Sequence, residues 1–148
     1  MVPYVMRTGS ISQEQKEVFL QIRAVFDALP DRQSAREITC HELCRAFAIH
    51  FPVRVVDGSF GLGCNHSWLE FKGDLYDPDN HVIIDLYPFG SSCPFMVHAH
   101  FTLPWAKLYM ASEEMTHEVE GDIRKFNPQL MRALSRDVAR LKKRKLTH

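Results

Sequence analysis

The stretch from Thr39 to Phe51, Thr-Cys-His-Glu-Leu-Cys-Arg-Ala-Phe-Ala-Ile-His-Phe, favours a helix and fixes where it begins. Thr39 followed three residues later by Glu42 is a capping box, so Thr39 is the N-cap and Cys40 the first helical residue. Leu43, Cys44, Phe47, Ala48 and Phe51 recur at helical spacing, and Cys40 lies one turn above Leu43 and Cys44 on that apolar face. Unpaired N–H groups and the positive end of the helix dipole favour a thiolate there. The chain thus puts a cysteine where a nucleophile can be made, and the remainder must supply its base.

Two later segments are suited to that. Asn65 to Phe71 alternates as a strand, with His66, Trp68 and Glu70 on one face and Ser67, Leu69 and Phe71 on the other. His81 to Tyr87 is a second strand, with Val82, Ile84 and Leu86 on one face and Asp85 on the other; residues 72–80, rich in Gly, Asp and Pro, connect them. An antiparallel register in which paired numbers sum to 151 sets Leu69 opposite Val82, Ser67 opposite Ile84 and His66 opposite Asp85. Opposed side chains have Cβ atoms about 4.5–5.5 Å apart, within reach of a carboxylate–imidazole hydrogen bond. The apolar pattern therefore sets a register that also makes a His–Asp pair.

Taken together, Ile38-Thr-Cys40-x-x-x-Cys-x-Ala46-x-Ala48, Pro52-Val-Arg54-Val-Val-Asp-Gly58, His66-Ser-Trp68-x-Glu70 and Asp85-x-Tyr-Pro88 resemble the core of the transglutaminase-like cysteine enzymes. The resemblance spans residues 38–88, about a third of the chain. It implies an α+β fold, transglutaminase-like or cysteine-proteinase-like, with an antiparallel sheet packed on the cysteine-bearing helix. It also implies a Cys40–His66–Asp85 triad: Cys40 the nucleophile, His66 the base, Asp85 the group that orients it. Trp68 is expected to wall the cleft and contact substrate, or else simply to pack in the core. The expected substrate is a peptide, a protein or a small amide or thioester, with no cofactor and no metal.

The rest of the chain reads as scaffold. Ser12 with Gln15 opens a second capped helix, and Val18, Phe19, Ile22, Val25, Phe26 and Leu29 form its apolar stripe up to Pro30. Val53 to Asp57 is a short strand ended by Gly58, and residues 59–63 form a glycine-bearing turn. Pro94 to Phe101 reads as another strand. Residues 105–110 are ambiguous, and the acidic residues 112–122 fit a helix or a loop. Asn127-Pro128 opens a final helix to about Lys145, with Leu130, Met131, Leu134, Val138 and Leu141 on one face. The 148 residues are expected to form a single domain, residues 1–148, with helices near both ends.

Composition narrows the partners. With 45% hydrophobic and 24% charged residues the chain is that of a globular protein. No apolar run approaches membrane-spanning length and residues 1–10 lack a signal-peptide core, so a cytoplasmic protein with reduced cysteines is expected. The formal charge of zero is uneven: residues 132–148 carry seven Lys/Arg and one Asp, +6, leaving −6 elsewhere. One basic tail without interleaved aromatics is a weak sign, so nucleic acid is not an expected partner. Nothing in the chain speaks to its oligomeric state.

Other readings use the same residues. Cys44 sits mid-helix on the apolar stripe and reads as packing, Glu70 as solvent-facing, and Cys64 and Cys93 have no evident role. His98 and His100 share a strand face, too few ligands for a metal site on their own. A zinc module built on Cys40, Cys44, Cys64 and His66 would have suitable ligands, but Cys-x3-Cys at a helix start matches no common knuckle spacing. A third alternative is the same fold with an inactive site, serving as a binding protein.

Overall fold

A computed structural model describes residues 12–29, 38–61, 64–71, 82–87, 98–100 and 108–146, with residues 64, 98–100, 145 and 146 described by backbone alone. Four helices and five strands follow in the order α1 (Gln13–Ala28), α2 (Cys40–His50), β1 (Val53–Phe60), β2 (Cys64–Phe71), β3 (Ile83–Asp85), β4 (His98–His100), β5 (Tyr109–Ala111), α3 (Glu113–Phe126) and α4 (Pro128–Leu146). Among the described residues the strands form an antiparallel sheet in the order β4-β3-β2-β1-β5. The fold class is α+β. The loop 72–80, Pro88, Cys93 and the flanks of the strand expected over 94–101 lie outside the described residues.

Both expected capping boxes form. Ser12 accepts from the Gln15 N–H while the Gln15 side chain takes the Ser12 N–H, each at 3.0 Å, and Thr39 and Glu42 close the same exchange at α2. The carboxylate of Glu42 is buried and also accepts from Asn127 Nδ2 at 2.9 Å. The start of α2 is therefore clamped to the α3–α4 junction, which holds Cys40 in place.

The stripes of α1, α2 and α4 meet in one apolar cluster. Phe19, Ile22 and Phe26 from α1, Leu43 and Phe47 from α2, and Leu134, Val138 and Leu141 from α4 pack there with Leu69, Phe71, Val82 and Ile84 from one sheet face and its margin. Lys142 Nζ caps the far end of α2 by donating to the His50 carbonyl, and it lies 4.8 Å from the centroid of the Phe51 ring. Among the described residues no helix is long and apolar enough to cross a membrane.

Two elements differ from the expectation, and two segments the sequence left open take a definite form. β1 does not stop at Gly58 but continues to Phe60, because Gly58 lets β5 close on it: a Cβ there would lie 1.9 Å from the Met110 carbonyl oxygen. The turn falls at Gly61, inside the expected 59–63, and its φ of 64° suits a residue without a Cβ. Residues 109–111 are a strand, and Ser112 caps a helix that runs the full acidic segment to Phe126. Finally, β2 and β3 pair Leu69 with Ile84 and Glu70 with Ile83, so paired numbers sum to 153 rather than 151. A slide of two residues preserves every face, and so the apolar pattern does not resist it.

Candidate active site

The ladder between β2 and β3 stops at Leu69↔Ile84 and goes no further toward His66. The N-terminus of α2 meets β2 just beyond that point. There the Ser67 N–H donates to the Cys40 sulfur at 3.4 Å. His66 and Ser67, being adjacent on a strand, project to opposite sides of it, and the sulfur lies against the backbone between them.

His66 reaches Asp85 despite the changed register. Its Nε2 lies 2.8 Å from Oδ2 and 3.0 Å from Oδ1, the reach of a diagonal rather than a directly opposed pair. Asp85 has no exposed surface and accepts two more bonds, from the Tyr87 N–H at 2.9 Å and the Tyr109 hydroxyl at 2.6 Å. A buried carboxylate needs such donors. With Nε2 committed to Asp85, Nδ1 is the nitrogen left to serve Cys40. Burial alone would push the His66 pKa down, but the bond to Asp85, the Cys40 sulfur beside it and the negative charge of both raise it to about 10.

The same balance acts in reverse on Cys40. Burial pushes its thiol up, yet the His41 and His66 rings beside it and their charge bring it down from 9.0 to about 7. A thiolate–imidazolium pair is the consequence. Cys44, one turn along, has no exposed surface, donates its S–H to the Ser67 carbonyl at 3.5 Å, and is pushed well above 9.0 by burial. It packs, as expected.

Of the two places expected for Trp68, cleft wall or core, the structure has it in the core. Only 1% of it is exposed, so it offers no open face to substrate. Its ring lies 5.9 Å from His66 and 5.1 Å from Tyr109, and its indole N–H donates to Glu70 at 2.9 Å. Glu70 in turn does not face solvent: it is 5% exposed and also accepts from Arg54 at 2.8 Å. Trp68 backs the imidazole, and the Arg54–Glu70 pair fixes Trp68.

Three contributors were not read from the sequence. Tyr109 comes from the short strand β5. His41 places Nδ1 3.9 Å from the Cys40 sulfur and 2.6 Å from Ser67 Oγ. Asp57 of β1 accepts from Ser67 Oγ at 2.5 Å, from Thr116 Oγ1 at 2.8 Å and from both terminal nitrogens of Arg45 at 2.7 and 3.0 Å. His41 carried a signal only in hindsight, as a second imidazole directly after the cysteine.

Among the described residues no group of three or more His, Cys, Asp and Glu side chains is arranged to hold a metal ion. Two cavities lie off this centre, one of about 730 Å³ along the α3–α4 junction with Thr39 at its edge, the other of about 460 Å³ beside Ile49 and Met131. Compared with protein-family models, curated proteins and solved structures, the chain matches none.

Proposed function

We propose that this chain is a cysteine acyl-transfer enzyme of the transglutaminase-like type, acting on an amide or thioester carbonyl. The observation that carries the reading is a helix-terminal Cys40, its thiol lowered to about 7 by the His41 and His66 rings, next to a His66 whose ring is held by a fully buried Asp85. The motif resemblance over residues 38–88 supports it independently of the geometry.

The thiolate attacks the carbonyl carbon, forming the C–S bond. The Cys40 N–H, at the first helical position and without an intrahelical acceptor, is placed to bind the oxyanion. Collapse breaks the C–N bond as His66 gives its proton to the leaving amine. His66, now neutral, takes a proton from an incoming water or amine, whose attack releases the acyl group and returns the thiolate. Asp85 holds the imidazole tautomer throughout.

A binding role without chemistry is the second reading, favoured by the low exposure of Cys40, 8%. Acetylation by p-nitrophenyl acetate, followed by mass spectrometry of peptides, separates the two. The enzyme reading predicts one acetyl group on Cys40, slow to appear in His66→Ala and absent in Cys40→Ala. Acetylation that is spread over lysines and indifferent to His66→Ala would leave only the binding role.

A further inference from the structure

The site just described uses one imidazole, yet a second lies beside the Cys40 sulfur, with His41 Nδ1 at 3.9 Å. On the side of β2 away from His66, a continuous chain runs from the sulfur through His41 Nδ1 and Ser67 Oγ to Asp57. Its proton positions follow from its far end. Asp57 is ionised against Arg45 and can only accept, so the Ser67 hydroxyl gives its hydrogen to Asp57. Ser67 Oγ must then accept from His41, which fixes a hydrogen on Nδ1 and leaves Nε2 as the nitrogen that titrates. Ser67 is completely buried and Asp57 2% exposed, so the arrangement is built into the core rather than a surface contact.

Resting on the acyl-transfer reading of Cys40, we propose that His41, oriented by Ser67 and Asp57, is a second cationic partner of the Cys40 sulfur. The nucleophile then stands between two arms, His66–Asp85 on one side of β2 and His41–Ser67–Asp57 on the other. Ser67 and Asp57 are positioning residues; His41 contacts the reacting sulfur itself. The arrangement has a purpose in the reaction cycle. When His66 has given its proton to the leaving amine, the sulfur still has a cation beside it, and in the second half-reaction that cation adds to the restored His66 imidazolium in stabilising the thiolate as it leaves.

Several charged groups face His41 among the described residues. Cys40, Glu42 and Arg45 lie on its own helix, the last donating to the His41 carbonyl at 3.2 Å, and Asp57 lies on β1. Of these, the guanidinium of Arg45 is engaged bidentately with Asp57, while the negative charges of Cys40, Glu42 and Asp57 all favour the protonated ring.

The test is the pH dependence of Cys40 alkylation by iodoacetamide in the full chain, compared across His41→Asn, Ser67→Ala, His66→Ala and the His41→Asn/His66→Ala double variant. Asparagine keeps a donor for Ser67 but carries no charge. The expected result is a midpoint about one pH unit higher in His41→Asn, roughly a tenfold loss of thiolate below the midpoint. Ser67→Ala should move it the same way by less, and the double variant further than either single one. A His41→Asn midpoint equal to wild type, with His66→Ala shifted, overturns this inference and leaves the triad reading standing. A wild-type midpoint near 9.0 overturns both.

A second measurement needs no substitution. Coupling between two titrating groups is reciprocal. In ¹⁵N NMR of the wild-type chain, blocking Cys40 with iodoacetamide should therefore lower the titration midpoint of His41. An unchanged midpoint overturns the proposal.

Discussion

His66 Nε2 donates to Asp85 Oδ2 at 2.8 Å across strands that are not in direct register at these residues. The carboxylate has no contact with solvent, and the Tyr87 N–H and Tyr109 hydroxyl occupy its remaining lone pairs. A single buried anion thereby ties together the end of β3, the strand β2 and the edge strand β5, and its charge keeps His66 protonated.

Replacing Asp85 with Asn should bring the His66 midpoint down from about 10, since burial then acts without the opposing charge. A histidine with a raised folded pKa contributes stability that is full below its unfolded value of 6.5 and is lost as pH rises through about 10. Wild type should therefore exceed Asp85→Asn in stability at neutral pH and lose that margin on the alkaline side. Acyl transfer should fall about 10²–10⁴-fold. Urea melts at neutral and alkaline pH, with ¹⁵N NMR of His66, check both points.

Gly58 and Gly121 should respond in opposite directions to alanine. At Gly58 the new methyl meets the Met110 carbonyl oxygen at 1.9 Å, so β5 must move and Tyr109 with it. A cost of about 1–3 kcal/mol or more is expected. Gly121 lies inside α3 with nothing within 4 Å of a built Cβ, and alanine there should stabilise by about 0.8–1.0 kcal/mol. Thermal melts of the two variants should bracket wild type.

Much of this arrangement was legible before any coordinates. The capping boxes at Ser12 and Thr39 are local, so they fixed both helix starts and with them the position of Cys40. That the strands at 65–71 and 81–87 meet was also legible, but their register was not. Apolar alternation in residues 65–71 and 82–86 excludes slides of one residue and permits slides of two, so sums of 151 and 153 satisfy it equally. Tyr109 left no trace because β5 is three residues long and its place depends on the close approach that Gly58 allows. Glu70 looked like a surface residue because the Arg54 that pairs with it lies on another strand. The His41 ring reaches Asp57 through the Ser67 hydroxyl, a contact set by how α2 lies on β2.

The C-terminal helix should prove part of the core. Leu134 is 3% exposed in the cluster shared by α1, α2 and α4, so Leu134→Ala should cost about 2–5 kcal/mol. Leu20, on the outer face of α1 and 42% exposed, is the comparison, and Leu20→Ala should stay within about 0.5 kcal/mol of wild type. Chemical denaturation of both variants reads the difference.

The most direct measurement is the rate of Cys40 alkylation by iodoacetamide as a function of pH, with the labelled cysteine identified by peptide mass spectrometry. A group with a depressed pKa is ionised down to that value, so Cys40 should label with a midpoint near pH 7 and lose its reactivity only as pH falls below it. Cys44, buried and pushed the other way, should remain unlabelled over the same range. A Cys40 midpoint near the ordinary 9.0, or labelling of Cys44 ahead of Cys40, would contradict the account.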